Sequence, residues 1–477
     1  DGYGLNINTI DLLHQQKTDL IITCDCGISN FAEVAEAKKR GIMVIITDHH
    51  TTPTILPEAD AIIHPLVSGE TYPDHSLSGG GVAFKLLQAL LKEHKKNNKT
   101  LPDGQTHEAF EKWSLDLAAI SIIGDMMPLI GEARTITRYG LTVLNKTKNI
   151  GLQKLLQIAG VTDKNNQTKR KEIDSETIAF QIVPRINAAG RMDHANVAFA
   201  LITTQDEQEA QLLAEKLEKN NFERQRLTEQ IVNQARQQIK KTGQEKNSIL
   251  FAFDPSWSTG ILGLIAGRIK DEYYRPTIIM GENEGEIVGS GRSIYEFNLI
   301  TALQNISDIF TKFGGHPQAC GFSLAGKEKL EEFKQKLTKQ AEKQLQNIDL
   351  SPTLIIDAEV NLEEINWELF DILEKFSPFG QKNEVPKYCA RNLTVVSVEP
   401  VGQDGKHLRL MVKHNSNLIR KTIGFGLGDI NRHPENWREE LKPGDKIDIV
   451  FSVGVNQWNG NRELQLTIED IKKNIPN

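Results

Sequence analysis

The stretch that decides the fold of the first domain is LIITCDCGISNFAEVAEAKKRGIMVIITD, residues 20–48. It begins with an apolar run of strand length, residues 20–24, and continues into a helical segment that starts after Asn30 and stops at Gly41. A second apolar run follows, residues 42–47. A strand, a helix and a strand within about thirty residues are typical of a βαβ unit with parallel, doubly buried strands. The sequence therefore predicts an α/β domain on a parallel sheet.

The composition is that of a globular protein rather than a disordered, collagen-like or disulfide-rich one. The chain has 477 residues, 39% hydrophobic and 25% charged, with four cysteines and a net charge of −7. At roughly 150 residues per domain we expect about three domains, and the few cysteines favour a reducing cytoplasm. No apolar run reaches the roughly 18 residues of a membrane span, so no membrane association is expected. The acidic total argues against an overall basic surface for nucleic acid but leaves a local basic track open.

Changes in pattern divide the chain into four predicted segments. The first α/β pattern, with further helices, covers residues 1–204, and residues 205–246 predict a long connector helix between two domains. A second α/β pattern covers residues 247–348, with a predicted helix, glycine-rich corner and strand over residues 306–324. Short alternating runs in residues 351–477 predict a small β-barrel of OB type, with a β-sandwich as the alternative.

Acidic residues and histidines follow the two strands of the predicted βαβ unit. Asp25 ends the first strand, and Asp48, His49 and His50 follow the second. Ligands bind at the carboxyl ends of parallel strands, so these side chains should lie together. Carboxylates and imidazoles suit divalent ions such as Mn²⁺, and Asp125, after an apolar helix, is a further candidate ligand. The alternative is that Asp48 caps a turn and the histidines form surface hydrogen bonds.

Short motifs in order along the chain resemble one enzyme superfamily. TCDCGISN (residues 23–30) followed by VIITDHHT (44–51) is similar to the DHH phosphoesterase superfamily, and IIGDMMPL (122–129) resembles its later aspartate motif. GSGRS (289–293) and FGGHPQACGFS (313–323) resemble the DHHA1 domain. Each motif is short, and their joint occurrence in this order is the specific signal.

Two further motifs narrow the resemblance. RINAAGRM (residues 185–192) and FSPFGQKNEVP (376–386), with the long helical segment, resemble the RecJ family of single-strand-specific 5′-to-3′ DNA exonucleases. The resemblance implies an α/β protein with a parallel-sheet DHH domain, a long connector helix, an α/β DHHA1 domain and a C-terminal OB-like β-barrel. It also implies a metal-dependent exodeoxyribonuclease that releases mononucleotides in DNA repair and recombination.

The same resemblance implies a site with two Mn²⁺ or Mg²⁺ ions. By motif, Asp25 resembles the bridging carboxylate, His49 and Asp125 resemble further ligands, and Asp48 a ligand or its support. His50 would lie near the scissile phosphate. The ions would activate water for in-line attack and neutralise the attacking and leaving oxygens, so no Ser or Cys nucleophile is needed.

Residues in other motifs are candidates for holding DNA phosphates. Arginine binds a phosphate bidentately, and closely spaced glycines let backbone N–H groups approach an anion. The structural alternatives are a tight turn for the glycines, an interdomain arginine and a solvated basic face. For the glycines at 79–81 a turn and helix start is the favoured interpretation. The candidates are Ser290, Arg292, Gly314, Gly315, His316, Arg185, Arg191, Lys406 and Arg409.

The last segment contains a basic run, residues 405–422, without acidic residues. On alternating strands, several of its cations could share one face and follow a phosphate backbone. The candidate cations are Lys406, Arg409, Lys413, Arg420 and Lys421, and the candidate stacking rings are His407, Phe425 and Trp458.

The resemblance lacks one motif. The superfamily's first metal motif, an Asp-x-Asp segment after the first strand, has no counterpart before Asp25. We therefore expect an N-terminally incomplete chain that binds metal poorly and cleaves slowly or not at all. Tight binding of two Mn²⁺ ions in calorimetry would contradict this expectation.

Two other functions stay open at this point. One is a DHH-family phosphodiesterase of short oligonucleotides or cyclic dinucleotides, and the other is a non-catalytic nucleic-acid-binding relative. The connector and the β domain favour a polymer substrate, and the intact Asp48-His49-His50 triplet favours catalysis. The expected partner is single-stranded DNA. By resemblance alone we also expect a single-stranded-DNA-binding protein as partner and a monomeric chain.

Overall fold

The structure is a computed structural model that describes residues 4–169, 172–414, 418–429, 435–458 and 461–474. The chain folds into two compact units. The first consists of Asp1–Pro184, Thr204–Gln211 and Ile356–Asn477, and the second of Arg185–Thr203 and Leu212–Ile355.

The first unit opens with an α/β segment. Its strands are β1 (Leu20–Cys24), β2 (Met43–Thr47) and β3 (Ala61–Ile63). Its helices are α1 (Ile7–Gln15), α2 (Phe31–Lys39), α3 (Gly79–Lys95), α4 (His107–Trp113), α5 (Leu115–Gly124), α6 (Gly131–Leu144), α7 (Ile150–Ile158) and α8 (Ser175–Thr177). The π-helical segment Ile178–Ile182 follows α8 directly.

The predicted βαβ unit with parallel strands is confirmed, but the prediction that both faces of its strands are buried was wrong. Strands β1, β2 and β3 form a parallel sheet in that order, with Leu20 opposite Met43. On one face of β1 and β2, alternate side chains such as Ile21 and Val44 are buried against α1 and α2. On the other face, Ile22 stays 52% exposed at the edge strand β1. The carboxyl ends of the strands meet at one edge of the sheet.

The second unit contains a long helix and a five-stranded sheet. Its helices are α9 (Val183–Met192), α10 (Asn196–Thr203), α11 (Glu207–Lys241), α12 (Leu262–Tyr273), α13 (Leu299–Gln304) and α14 (Lys329–Leu345), of which α9 and α11 begin in the first unit. Its strands are β4 (Leu250–Phe253), β5 (Thr277–Asn283), β6 (Glu286–Arg292), β7 (Phe310–His316) and β8 (Ala319–Leu324).

The sheet of the second unit corrects one prediction. The strand order is β4-β5-β6-β8-β7, with β4 and β5 parallel and the other pairs antiparallel. The predicted helix and glycine-rich corner before β8 were wrong, because Gly314 and Gly315 lie inside β7, opposite Gly321 and Cys320. A β-carbon on Gly315 would lie 2.2 Å from the carbonyl oxygen of Ala319, so the close strand pair requires glycine there.

Helix α11 confirms the predicted long helix, with 35 residues. Its last turns pack an apolar stripe that includes Ile231, Ala235 and Ile239 against β4 and α12. Helical spacing of three and four residues puts this stripe on one face, so burial of that face stabilises the helix. The prediction of its role as a connector is not tested by these contacts.

The first unit ends with a β-barrel, as the sequence predicts. Its strands are β9 (Ala358–Glu359), β10 (Lys387–Val401), β11 (His407–Lys413), β12 (Ile419–Gly424), β13 (Lys446–Trp458) and β14 (Asn461–Lys473), and its helices are α15 (Trp367–Glu374) and α16 (Trp437–Glu440). The order β11-β12-β14-β13-β10 closes because β10 also pairs with β11. Closure leaves a barrel interior filled by residues such as Leu410, Phe451 and Leu466.

Among the residues that the structure describes, no helix is both long enough and apolar enough to cross a membrane.

Candidate metal centre and nucleic-acid interface

Two carboxylates flank one imidazole at the carboxyl edge of the parallel sheet. His49 Nε2 lies 3.0 Å from Asp25 Oδ1 and 3.1 Å from Asp125 Oδ2. The strand ladders continue one residue further, with the N–H of Asp25 donating to Thr47 and that of Asp48 to Ile63. The sheet therefore places the two strand ends side by side, and the end of α5 brings Asp125 to them.

The electrostatics of this cluster favour a cation. Burial by itself would lower the pKa of His49, but the hydrogen bond to Asp25 and the charges of Asp125 and Asp25 raise it overall. One nitrogen or oxygen atom each of His49, His50 and Asp25 also lie within 4.8 Å of one another. Imidazole nitrogens and carboxylate oxygens are ligands that Mn²⁺ accepts, so the donor set fits a divalent ion.

Asp48 organises the loop that carries the histidines. Its carboxylate is 1% exposed and accepts the N–H groups of Ile28 (3.0 Å), His49 (2.8 Å) and His50 (3.3 Å). It also accepts from Nδ1 of His50 at 2.7 Å. Burial by itself would raise the pKa of Asp48, but these donors together lower it, so the group stays ionised. The structure thus shows Asp48 as the support of His50, while a direct metal contact stays a prediction.

His64 is a supporting residue that the sequence did not indicate. It is 2% exposed, and its Nδ1 accepts the N–H of Leu66 at 3.0 Å. The proton is therefore on Nε2, which donates to the backbone oxygen of His50 at 2.9 Å. Burial lowers the pKa of His64, which keeps the ring neutral in this tautomer. His64 thereby fixes the backbone at the end of the Asp48-His49-His50 triplet.

Gly79 packs directly over the Asp25 carboxylate. A β-carbon at Gly79 would lie 2.2 Å from Asp25 Oδ1, far inside van der Waals contact. Gly79 is the first residue of α3, after the N-cap Ser78. The sequence favoured an ordinary helix start for these glycines, which the structure shows, but it did not indicate the contact with Asp25.

Two residues at the centre have left-handed backbone conformations that only glycine adopts readily. Asp25 has φ 64° and Met126, the residue after Asp125, has φ 54°. Non-glycine residues in this region are uncommon and cluster at functional sites. Both bends redirect the chain at a carboxylate of the cluster.

In the second unit, the GSGRS and GGH motifs lie at the same end of one sheet. Arg292 and His316 both pair with Ala319, one on each side of β8. Arg292 Nη1 donates to Ser290 Oγ (3.2 Å) and to the carbonyl oxygen of Gly291 (2.8 Å), while His316 is exposed. The predicted phosphate contacts Ser290, Arg292 and His316 are therefore neighbours at one end of the sheet.

Three arginines of the second unit form a cationic cluster. Burial lowers the pKa of Arg191, Arg224 and Arg292. The positive charge of Arg292 lowers the pKa of Arg191 further, and the positive charge of Arg191 lowers the pKa of Arg224 further. Within the part of the chain that the structure describes, none of the three forms an ion pair with a carboxylate. Arg292 and Arg224 also line a cavity of about 330 Å³. Half-buried cations that repel one another favour an anion such as phosphate.

Arg224 was missed in the sequence because it lies on a long charged helix, where an arginine normally faces solvent. Its Nη2 donates to Asn221, one turn earlier on α11, at 2.7 Å.

The predicted residue Arg185 is in a bidentate ion pair with Glu218, with Nε 2.5 Å and Nη2 3.1 Å from the Glu218 carboxylate. Arg191 Nη1 donates to the backbone oxygen of Gly260 at 3.1 Å.

The basic run of the barrel only partly shares one face. Arg409 and Lys421 point outward and pair with Glu399 (3.1 Å) and Glu463 (3.0 Å), and Lys406 is exposed. Arg420 is different, because it pairs in register with the buried Val412. It donates to backbone oxygens of the segment before α15, so it supports the fold.

The structure describes two of the three candidate stacking rings of the barrel, those of Phe425 and His407. Phe425 is 62% exposed, and its ring centroid lies 5.4 Å from that of His407 at 76°. His407 Nδ1 accepts the N–H of Gly426 at 3.0 Å, which fixes its orientation. The side chain of Trp458 lies outside the described residues.

Comparisons with known proteins agree with this arrangement. Family models match the DHH family N-terminal domain at residues 5–122, the DHHA1 domain at 246–343 and the RecJ OB domain at 356–470. The chain is 31% identical over 481 residues to the single-stranded-DNA-specific exonuclease RecJ of Salmonella typhimurium, covering 99% of this chain and 80% of that protein. The chain belongs to the RecJ family.

Other RecJ proteins share the sequence and the fold. The RecJ exonuclease of Bacillus subtilis is 34% identical over 472 residues, covering 98% of this chain and 56% of that protein. The crystal structure of RecJ from Thermus thermophilus in complex with Mn²⁺ matches with a TM-score of 0.81 and 26% identity, covering 99% of this chain and 64% of that one. A Mg²⁺ complex of RecJ from the same organism matches with a TM-score of 0.73. This chain therefore spans little more than half of one relative and about two thirds of another.

Membership of the RecJ family confirms the predicted fold class and agrees with a Mn²⁺ or Mg²⁺ site. The three matched domains follow the predicted order of DHH, DHHA1 and OB. The roles of individual residues stay predictions, since the comparisons assign none.

Proposed function

We propose that this chain is a single-stranded-DNA-specific 5′-to-3′ exonuclease that releases mononucleotides by two-metal phosphodiester hydrolysis in DNA repair and recombination. The observation that carries the proposal is His49 between the carboxylates of Asp25 and Asp125, at 3.0 and 3.1 Å. Relatives named single-stranded-DNA-specific exonuclease RecJ support the substrate, and the 5′-to-3′ polarity rests on the resemblance of the sequence motifs.

The residues of the centre divide into ligands and supports. Asp25, His49 and Asp125 would hold the metal. When bound, the ions lower the pKa of water and neutralise charge on the attacking and leaving oxygens. Asp48 holds the Nδ1 proton of His50, so the ring presents Nε2 on its other side. We assign His50 to a phosphate oxygen of the scissile diester, oriented by Asp48.

The second unit supplies candidate groups for the rest of the substrate. Arg292 and Ser290 are adjacent at the end of β6, and Arg224 adds a third group whose charge no carboxylate of the described residues offsets. Backbone phosphates would replace the missing anions there, and each neutralised phosphate makes binding more salt-dependent. On β7, which lies beyond β8 in the same sheet, Gly314 and Gly315 have no side chains, so the backbone there could approach a phosphate closely.

The proposal is tested by Mn²⁺-dependent digestion of 5′- and 3′-labelled single strands, duplexes and dinucleotides. We expect mononucleotides from the 5′ end of single strands only, and loss of at least about 100-fold in rate for His49→Ala, because a ligand is removed. His14→Ala is the matched control, since His14 is exposed on α1. Preference for dinucleotides, digestion from the 3′ end, or Mn²⁺-dependent cleavage that His49→Ala leaves unchanged would contradict the proposal, whereas a low rate of the unchanged chain is expected.

We also propose that the chain acts in the cytoplasm, as a monomer, with a single-stranded-DNA-binding protein as partner. All four cysteines are free thiols, which suits a reducing compartment. Sedimentation of the purified chain would test the monomer, and co-sedimentation with a single-stranded-DNA-binding protein would test the partner.

A further inference from the structure

An open apolar cavity of about 440 Å³ lies beside the metal centre, within the first unit. Its walls come from the end of α5, the π-helical segment 178–182 and the loop that carries the FSPFGQKNEVP motif. The apolar lining includes Met126, Phe180, Phe379 and Val385. Cavities of about 300–1,000 Å³ with mostly apolar walls are typical ligand sites.

Specific hydrogen bonds hold these walls together. The N–H of Leu129 donates to the backbone oxygen of Gln381 at 2.7 Å, and Ser175 Oγ donates to that of Phe379 at 2.6 Å. Asn383 Nδ2 donates to two carbonyl oxygens within the same loop, those of Phe376 (2.9 Å) and Pro378 (2.8 Å). The cavity is thus a fixed feature of the fold and not a gap between loosely packed segments.

Large apolar side chains stay uncovered in this cavity. Phe180 is 75% exposed and Met126 is 67% exposed. Phe180 lies in the middle of the π-helical segment, a rare geometry that is frequent at functional sites. A flat apolar ligand would bury both side chains.

The charges of the lining favour the neutral part of a ligand. Glu176, Glu384 and Glu469 line the cavity, together with one cation, Lys387. A neutral ring would therefore enter, while the charged phosphates of the same ligand would stay outside. Carboxylates also accept hydrogen bonds from the exocyclic amino groups of nucleobases.

One lining residue links the cavity to the candidate metal centre, because Met126 directly follows Asp125, whose carboxylate lies 3.1 Å from His49. We propose that the cavity receives an unpaired nucleobase of the single strand, stacked on Phe180 and Met126, an inference that rests on the proposed function. A base in a duplex cannot enter without leaving its stack and its partner, which opposes its entry. The cavity would therefore contribute to selection of single strands.

The test measures affinity without cleavage, by anisotropy of labelled single strands in EDTA with the full chain. One base at a time is replaced by an abasic site. We expect one position at which base removal weakens binding of the unchanged protein about five-fold or more, the range for stacking on an aromatic ring. Phe180→Ala should weaken binding by a similar factor and abolish the effect of base removal there, and Phe180→Trp should retain both.

Tyr139→Ala is the matched control, since Tyr139 is an exposed aromatic residue on α6, outside the cavity lining. It should change neither affinity nor the abasic penalty. The proposal is overturned if base removal and Phe180→Ala weaken binding independently at every position, and Met126→Ala provides a second variant for the same comparison. If the unchanged protein binds no single strand, the proposed function itself fails, which is a distinct result.

Discussion

At the scale of single residues, the candidate metal centre depends on backbone positions as much as on its proposed ligands. Asp25 lies in the left-handed region at φ 64°, and Gly79 leaves no space above its carboxylate. Each left-handed non-glycine residue costs on the order of 1 kcal/mol, so the surrounding contacts must hold Asp25 in place. The direction of the Asp25 carboxylate towards His49 therefore depends on Gly79, which is 54 positions away in the sequence.

Gly79→Ala should weaken Mn²⁺ binding relative to the unchanged chain by about ten-fold, because the new β-carbon displaces the Asp25 carboxylate. Isothermal calorimetry measures the effect. Gly81→Ala is the control in the same turn of α3, since its β-carbon would come no closer than 3.3 Å, to Leu77. Equal Mn²⁺ affinities of the two variants would refute the role of Gly79.

The two hydrogen bonds of the His64 ring can be tested separately by substitution. His64→Asn can keep the acceptor for Leu66, whereas His64→Gln can reach the backbone oxygen of His50. We expect about a ten-fold lower kcat with little change in KM for His64→Asn, because loss of a residue that orients a metal-site residue typically lowers activity by this factor. For His64→Gln we expect part of the kcat to be recovered. Identical kinetics of the two variants would show that His64 only fills space.

At the scale of elements, α11 is more than a spacer. It packs its C-terminal half into the second unit and also carries Arg224 in the cationic cluster. Arg224 precedes Ile231 by seven residues and Ala235 by eleven, so helical spacing puts it on the same face as the apolar stripe. We expect this face to pack against the second unit along its apolar stripe and to offer a place for an anion at Arg224.

Arg224→Ala should weaken single-strand binding to a similar extent for all sequences. If Arg224 neutralises one phosphate, the slope of log affinity against log salt should become shallower by about 0.7. Arg226→Ala is the control on the same helix, because Arg226 is exposed and paired with Glu223 at 2.7 Å. An unchanged slope for Arg224→Ala would remove Arg224 from the interface.

Much of this could be predicted from the sequence, for reasons that particular residues illustrate. Asp25, Asp48 and His49 directly follow apolar runs, and a parallel sheet always brings such ends together. Gly79 and Arg224 could not be assigned, because their roles arise from contacts between distant parts of the chain. The glycine-rich strand β7 was mistaken for a corner, since pairing with β8 overrides the local preference of two glycines.

At the scale of the whole molecule, the barrel is fastened to the α/β segment within the first unit. Arg134 on α6 donates to three successive backbone oxygens, those of Lys375 (3.2 Å), Phe376 (2.9 Å) and Ser377 (3.2 Å). These oxygens begin the loop that forms one wall of the apolar cavity. Arg134 therefore helps to hold this wall, together with the hydrogen bonds from Leu129 and Ser175.

Arg134→Ala should lower the melting temperature by about 2–4 °C, since hydrogen bonds from a charged group contribute about 1–2 kcal/mol. Differential scanning calorimetry measures the shift. Arg138→Ala, at an exposed position one turn later on α6, should leave the melting temperature unchanged. A shift of the same size in both variants would mean that the loss of charge alone is responsible.

The interrupted path of the chain has a consequence for its synthesis. The chain leaves the first unit after Gln211 and returns at Ile356, so the second unit emerges from the ribosome before the barrel does. Asp125 and Phe379 are 254 residues apart, so at about 5–20 residues per second their synthesis is separated by roughly 13–51 s. During that interval the nascent chain has its proposed metal ligands, of which Asp125 is the last, but lacks Phe379 in the far wall of the cavity. A newly made molecule would thus acquire its ion-binding centre well before it acquires the compartment for a base.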